Sequence, residues 1–443
     1  MRFFASLIVM SLFAQSIAAQ QAAGEPKSLR ALGSYVVDIV PPKPQTAGPA
    51  SPKKELTLGD AIDVFLQQNL AIVAARYEIE TADAEKLTAR LRPNPEFDAS
   101  FDDLPLDFSG PFFREQEISY GISQTFELGG KRRKRINAAN ANAELARANF
   151  QVTMWQLTND LKRKFYTVVL AEDLLKLAED NEKTFGEILK HSTELVRQGE
   201  IAGLDLRKIE VEKLKFDTDV ASSRRDYEVA LRDFRVTLGG DYKSRDVTVS
   251  GTLDYKAYQF VLAELRDKSL ASRPDLKAAQ ISEFAADSDI KLQDAQRIPN
   301  LSVGVGIKRI VVDNLYSFGL GITLPIFDRN QGERVKALIQ KKRAQNDQKI
   351  LTNTVLSDVD KAMASLEAQK RRVELYNSGV LSKVEEIQSL TEFSFKAGES
   401  SVLDLLDAIR TRRETLANYY QTLADYQTAL LDLELATATP LQK

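Results

Sequence analysis

"LSVGVGIKRI" at 301–310 and "YSFGLGITLPIF" at 316–327 decide how this chain folds. In 301–308, Leu301, Val303, Val305 and Ile307 alternate with Ser302, Gly304, Gly306 and Lys308. In 316–324, Phe318, Leu320, Ile322 and Leu324 alternate with Ser317, Gly319, Gly321 and Thr323. A two-residue period means strands with one apolar face and one face of small or polar residues. The pattern recurs in 96–102, where Phe97, Ala99 and Phe101 oppose Asp98, Ser100 and Asp102. It recurs again in 117–126, where Ile118, Tyr120 and Ile122 oppose Glu117, Ser119, Gly121 and Ser123. Segments of about 7–10 residues suit a tilted membrane-spanning strand. A sheet with one face on a soluble core gives the same alternation. Two features favour the membrane: the polar face is rich in Gly and Ser, which suits a crowded or open lumen, and each strand pair sits between long helical stretches. Four strands cannot close a barrel, for which about 8 are needed, and lipid tolerates no open edge. The membrane reading therefore requires further subunits.

Outward from these strands, the chain repeats at an offset of about 200 residues. Leu58–Leu91 has its counterpart in Leu262–Gln296, "YGISQTFELGG" (120–130) in "FGLGITLPIFDR" (318–329), and "RQGEIAGLDL" (197–206) in "KAGESSVLDL" (396–405). The expected layout is a first repeat over 55–251, with strands at 96–104 and 117–126, and a second over 252–438, with strands at 299–309 and 315–326. Residues 439–443 form a tail. A helix is predicted from Gly129-Gly130 to Gln198, and another from Arg329-Asn330 to Ala397, each roughly 68 residues and about 100 Å. Helices of that length need lateral partners. Residues 71–92 and 203–238, stacked end to end, supply one set, and 275–297 with 401–436 the other. Leu416, Tyr419, Leu423, Tyr426, Leu430 and Leu433 step by three and four, as do Leu351, Val355, Val359, Ala362, Leu366 and Val373. That rhythm packs helices side by side in a coiled coil. An ordinary soluble bundle would show it too. The stretch from Gly239-Gly240 to Lys256 is irregular and is expected to belt the helices at mid-height.

Composition narrows the classes. Hydrophobic residues make up 43% and charged residues 28% of the 443. No apolar run beyond the N-terminus is long enough for a transmembrane helix. A net charge of -3 argues against a nucleic-acid partner. With no Cys and one His there are no disulfides, thiolate metal sites or Cys nucleophiles. His191 stands alone on a charged helix, reads as solvated, and makes no metal site by itself. No nucleophile–base set or phosphate loop supports an enzyme, and no cofactor is implied. Arg2, the apolar stretch Phe3–Phe13 and small residues at Ser16, Ala18 and Ala19 read as a secretory signal over 1–19. Residues 20–54, with Pro41, Pro42, Pro44, Pro49 and Pro52, read as a linker.

"LTLGDAIDVFLQQN" (56–69), "RPNPEF" (92–97), "SQTFELGGKR" (123–132), "ITLPIFDRNQGER" (322–334) and "GESSVLDLLDAIRTRRETLANYYQTLADYQTALLDLE" (398–434) together resemble the TolC-type outer-membrane factors. "ELGGKR" and "LPIFDRNQG" resemble their CzcC-like heavy-metal branch. The resemblance covers roughly residues 55–438. It implies a mainly α fold with a small β-barrel: a homotrimer whose four strands per chain make a 12-stranded barrel among outer-membrane lipids and whose helices make a 12-helix periplasmic tube. It also implies a passive duct docked by a periplasmic adaptor and an inner-membrane pump of the resistance-nodulation-division type. Heavy-metal cations are the implied cargo, with drugs or type I secreted proteins as alternatives. The competing reading is a soluble periplasmic adaptor or scaffold, which would be expected to carry a lipoyl-like β-domain; none is evident in the sequence.

The resemblance also assigns sites. Gly199, Glu200, Ala202, Gly203 and Leu204, with Gly398, Glu399, Ser400 and Ser401, match the periplasmic tips that meet adaptor hairpins. Gly199 and Gly398 also have the chemistry of helix-closing residues. Asp404 and Asp407 share a helix face and align with the family's entrance ring, where three copies would attract cations. Asp205 aligns with another gate residue. The residues alone offer a second role: Ser401-x-x-Asp404 resembles a capping box, and Asp407 could pair with Arg410. Ser400 and Phe395 stand where well-known members have a gate arginine and tyrosine, so a latch through those groups is not expected. The run Lys131–Arg135 begins a helix below a strand, where cations oppose the dipole. Lipid headgroups or solvent are its expected neighbours, and nucleic acid is not.

Overall fold

A computed structural model describes residues 55–102, 117–240, 247–310 and 313–441. The signal and linker expected over 1–54 lie outside the described residues. The elements run β1 (Glu55–Leu56), α1 (Leu58–Gln68), α2 (Leu70–Arg90), β2 (Glu96–Asp102), β3 (Glu117–Phe126), α3 (Lys131–Gln198) and α4 (Gly203–Leu238). The same order then repeats as β4 (Thr248–Val249), α5 (Leu262–Ser272), α6 (Pro274–Gln296), β5 (Leu301–Ile310), β6 (Asp313–Ile322), α7 (Gln331–Leu375), a π-turn (Tyr376–Val380), α8 (Leu381–Lys396) and α9 (Val402–Thr437).

The four long strands form one antiparallel sheet in the order β2-β3-β5-β6. Its register puts every alternation in phase. Phe97 faces Ile122, Ile122 faces Val305, and Val305 faces Phe318 across the sheet. One face is therefore apolar across its middle, where Phe97 stacks on Tyr120 at 6.5 Å, while Gln124 lies on it near the helix end and Arg309 and Asn314 near the other end. On the other face Gly121 opposes Gly306 and Gly304 opposes Gly319, so little side chain projects there. The apolar face is exposed: Phe97, Phe101, Tyr316, Phe318 and Leu320 are all more than half accessible. Among the described residues no helix covers it, and the outer edges, on β2 and β6, carry no partner strand. Strands of about ten residues span roughly 33 Å, or about 23 Å when tilted, which matches the apolar band of an outer-membrane barrel. β6 ends at Ile322, short of the 326 expected, because Pro325 has no N–H to continue a ladder.

The helices make a wall four wide. Near the sheet α3 packs between α2 and α6, and α7 flanks α6; away from the sheet α3 packs between α4 and α9, and α7 and α8 flank α9. α3 is continuous over 68 residues. Its counterpart is not: the unbroken second helix expected from the sequence is interrupted by the π-turn, where Gly379 adopts φ 135°. That angle is closed to L side chains. The first copy has Asp180 at the corresponding place. Tyr419 Oη donates to Asn377 Oδ1 at 3.1 Å, and Ser378 Oγ to Leu375 O at 2.8 Å, which holds the break in place.

α2 and α4 are stacked end to end, and Asn69 splices them. Its Oδ1 accepts from the N–H groups of Ala71 and Ile72 at 2.9 and 3.0 Å, capping α2. Its Nδ2 donates to Thr237 O at 2.7 Å, satisfying a terminal carbonyl of α4. Gly240 N donates to Gln68 O at 3.1 Å across the same joint. Around it lies the main core. Phe65, Phe165, Phe234, Leu238 and Tyr426 are buried there, and β1 pairs in parallel with β4 at its margin. The segment after β4 belts the helices: Tyr426 Oη donates to Lys256 O at 2.5 Å and Tyr255 Oη to Glu374 Oε1 at 2.7 Å.

Gly239 sits at the splice with φ 80°, and a Cβ there would lie 2.3 Å from Gln68 O and 2.6 Å from Asn69 Cα. Both neighbours are backbone and cannot yield. Gly239→Ala is expected to lower stability by about 2 kcal/mol or more, read as a drop in thermal midpoint by circular dichroism; Gly203→Ala, where no atom lies within 4 Å, is the control expected to change little.

Candidate functional site

The candidate site is the far end of the helical wall, where α3 turns into α4 and α8 into α9. Both long helices close in the same way. Gly199 at φ 78° donates its N–H to Val196 O, and Glu200 N donates to Leu195 O at 2.9 Å. Gly398 at φ 76° donates to Phe395 O, and Glu399 N to Ser394 O at 2.9 Å. This is the Schellman arrangement, which only a left-handed residue completes without strain. Ala202, Gly203, Leu204, Glu399 and Ser401 are exposed at these turns, whereas Ser400 is half-buried and its Oγ is turned toward Thr391 O. Beneath them Leu195, Ile209, Phe395, Val402 and Leu405 are buried in one small core, and Phe185 stacks on Phe216 at 4.6 Å. Phe395 is thus a core residue.

The start of α9 is capped reciprocally. Ser401 Oγ accepts from Asp404 N at 3.2 Å, while Asp404 Oδ2 accepts from Ser401 Oγ at 2.7 Å and from Ser401 N at 3.1 Å. These bonds, the hydroxyl one first, hold the Asp404 carboxyl below its ordinary range. Only Oδ2 is engaged. The charge is not neutralised, because Asp404 makes no salt bridge among the described residues. Asp407 makes none either. The salt bridge from Asp407 to Arg410, which the sequence offered as an alternative to the ring, does not form, because Arg410 is bonded to Glu212 on another helix. Asp205 starts α4 and accepts from Lys208 Nζ at 2.8 Å, one turn on. Ala202, at the N-cap of α4, supplies no side-chain cap. The two copies therefore differ: Asp404 is a cap, and Asp205 is a partner in an i,i+3 pair.

Asp404 and Asp407 open a stripe along α9. Asp404, Asp407, Thr411, Glu414, Asn418 and Gln421 are all exposed and step by three and four. A 3.5-residue spacing keeps such a stripe on one side of a supercoiled helix. The apolar residues of α9 face the opposite way, into α3 and α7.

The groups missed by sequence reasoning are the cross-helix ion pairs. Arg410 donates to both oxygens of Glu212 at 2.8 and 2.6 Å, and Lys215 Nζ adds a third bond at 2.9 Å. Arg413 donates to Asp219 Oδ2 at 2.7 Å and lies 5.5 Å over the Phe216 ring. α9 is thereby tied to α4. The signal was present: Ile209, Glu212 and Phe216 are spaced three and four, so Glu212 is an acid at a buried coiled-coil position. His191 departs from expectation as well. It is half-buried, and its Nε2 is out of contact with solvent and without a hydrogen-bond partner among the described residues. No group of three metal-ligating residues occurs among the described residues.

Arg410, with help from Lys215 and against the cost of burial, pulls the Glu212 carboxyl from 4.5 down to about 2. The folded pKa lies below the unfolded one, so this stabilisation is complete above pH 4.5 and lost as pH falls toward 2. Arg410→Met leaves a buried acid short of its main partner and is expected to cost about 1–3 kcal/mol at neutral pH. Thermal melts at pH 7 and pH 3 check the sign: the difference between wild type and variant should shrink at the lower pH.

Comparison with known proteins agrees with this architecture. The family model described as "Outer membrane efflux protein" matches residues 61–240 and 265–439. The chain is 28% identical over 402 residues to the cobalt-zinc-cadmium resistance protein CzcC of Cupriavidus metallidurans, covering 90% of this chain and 92% of that one. It is 27% identical to the nickel-cobalt-cadmium resistance protein NccC of Alcaligenes xylosoxydans, over 60% of this chain and 61% of that one. Among solved structures, the fold matches CusC with a TM-score of 0.72 at 16% identity, covering 86% of this chain and 92% of that one. It matches the outer membrane protein VceC of Vibrio cholerae with a TM-score of 0.71 at 14% identity, covering 87% and 97%. This chain belongs to the outer membrane efflux protein family, whose members are transport channels and not enzymes.

Proposed function

We propose that three copies of this chain close into a 12-stranded barrel in the outer membrane, continued by a 12-helix tube in the periplasm. The barrel and tube would form the exit duct of a tripartite efflux system. The observation that carries this is the open sheet: four strands with one exposed apolar face and two unpaired edges, set at the end of a wall of helices. Lipid covers such a face, and strand-to-strand closure between copies removes the edges. A soluble adaptor or scaffold would leave this face in water. Expected partners are a periplasmic adaptor and a pump of the resistance-nodulation-division type. The names of the relatives CzcC and NccC, resistance proteins for cobalt, zinc, cadmium and nickel, support heavy-metal cations as cargo.

In this reading the turns at 199–204 and 398–401 meet the adaptor, and the polar stripe of α9 lines the tube. Asp404 and Asp407, with Asp205 nearby, ring its entrance. The carboxylates of Asp404 and Asp407 are exposed and make no salt bridge among the described residues, while Asp205 is half-buried and paired with Lys208, so threefold repetition of the first two concentrates cations there. Capping and ring formation are compatible for Asp404, since Oδ2 serves the cap and Oδ1 is left to the lumen.

The mature protein is expected to fractionate with the outer membrane and to run as a trimer by native mass measurement. Recovery as a soluble monomer from periplasmic extract would overturn the duct reading. Asp404→Asn with Asp407→Asn removes the ring charge while Ser401 stays the N-cap and the amide oxygen at 404 can still accept from it. In planar bilayers this variant is expected to lose most cation selectivity, with a larger difference at low salt and at most a small drop in melting point, since the charged form of Asp404 is the one the cap favours. Unchanged reversal potentials would limit these carboxylates to helix capping.

A further inference from the structure

Where α4 and α9 meet over α3 there is a cleft of about 340 Å³. It exists because the apolar rhythm of α4 stops. After Ile209, Glu212 and Phe216, the next positions spaced by three and four are Asp219 and Ser223. Ala178 of α3 and Ala417 of α9 line the same space, and side chains this small leave it unfilled. Leu174 and Leu177 complete an apolar wall along α3. From Leu174 to Asn181 the cleft runs seven residues, or about 10 Å.

Asn181 decides what the cleft can hold. It is only 6% exposed, and its Nδ2 has no hydrogen-bond partner among the described residues. Its Oδ1 is engaged, accepting from Arg412 Nη1 at 3.4 Å, so the amide has a donor to offer and its acceptor is taken. The other buried asparagines among the described residues are fully served: Asn69 Nδ2 donates to Thr237 O at 2.7 Å and Asn159 Nδ2 to Leu431 O at 2.9 Å. A buried N–H without a partner is destabilising, and an oxygen placed beside it removes that cost. The charges here balance. Arg413 donates to Asp219 Oδ2 at 2.7 Å, Glu414 lies 4.0 Å from the same guanidinium, and Arg412 is bonded to the Asn181 amide. Two cations meet two anions, so neither a carboxylate nor an ammonium head is compensated for its loss of water.

We propose that this cleft binds an uncharged amphiphile. A carbonyl or ether oxygen at one end of the molecule accepts from Asn181 Nδ2, and an apolar chain of about 10 Å lies along Leu177 and Leu174 against Ala417. Apolar walls with one unserved donor at the end are the general make-up of a small-molecule site. The occupant touches three helices at once, so binding stabilises their packing by mass action. The cleft lies wholly within one chain, and it does not depend on how copies assemble.

The test uses the full chain in lipid nanodiscs free of detergent. It is photolabelled with octanamide carrying a diazirine in its chain, and labelled peptides are mapped by mass spectrometry. Saturable labelling around Leu174–Ala178 and Ala417 is expected, with unlabelled octanamide competing about tenfold better than octanoate or octylammonium. Asn181→Leu removes the donor at similar volume and is expected to weaken octanamide about tenfold. Ala417→Leu fills the cleft from a half-exposed position, leaves Asn181 in place, and is expected to abolish the labelling. Octanamide should also raise the melting point of the wild type and leave that of Ala417→Leu unchanged. Labelling confined to the sheet, as partition into lipid alone gives, overturns the site. So does a cleft that stays unlabelled because water or a neighbouring copy fills it. Equal competition by all three head groups overturns the uncharged class, and labelling unchanged by Asn181→Leu overturns the role of the amide.

Discussion

A strand edge cannot remain unpaired in hydrocarbon, and the rest of this structure follows from that constraint. Every exposed N–H and C=O of β2 and β6 would cost several kcal/mol in lipid. The chain supplies a sheet with matched register and one mainly apolar face, yet too few strands to close it. In the proposed assembly, closure between copies satisfies both edges at once. The helical wall would then inherit its symmetry from the sheet, because every strand is joined to a helix at the same end of the sheet by a connection of at most eight residues.

A wall about 100 Å long cannot be built from single helices alone, and much of the polar chemistry serves its joints. Asn69 joins α2 to α4 by capping one and bonding the other. The basic run after β3 serves another joint. Arg132 Nε donates to Arg90 O at 2.8 Å, and Arg135 donates to Ala89 O and Leu91 O, so these cations cap the C-terminus of the neighbouring α2. There the dipole favours them. Lys131 is buried, donates to Asn300 Oδ1 at 2.6 Å, and has its pKa lowered by that burial. In the second copy Asn330 Nδ2 plays the corresponding part toward Gln293 O at 2.9 Å.

The two copies differ in the continuity of the long helix and in the capping of the helix that follows it. The first keeps an unbroken α3 and an uncapped α4. The second breaks at Gly379 and starts α9 with a full capping box. The rigid strut and the jointed one meet at the tip, where Glu212–Arg410 and Arg413–Asp219 hold α9 to α4. With Arg410 bonded to Glu212, neither Asp404 nor Asp407 makes a salt bridge among the described residues.

The alternation, the repeat and the heptads determined a great deal without any coordinates: the strand faces, the length of the first long helix, the end-to-end stacking of α2 and α4 and the closing glycines at 199 and 398, though not the break at Gly379 in the second long helix. These are local properties, set by side-chain period and by the φ a residue can adopt. Partnership was not legible. The sequence placed Arg410 one turn from Asp407, but a buried acid 198 residues away binds it more strongly. The basic run looked opposed to its own helix, and only packing reveals the second helix whose carbonyls it caps. His191 looked solvated because its sequence neighbours are charged, yet its Nε2 is closed off from solvent. Charge pairing and burial depend on which helix faces which, and that is decided only when the wall is assembled.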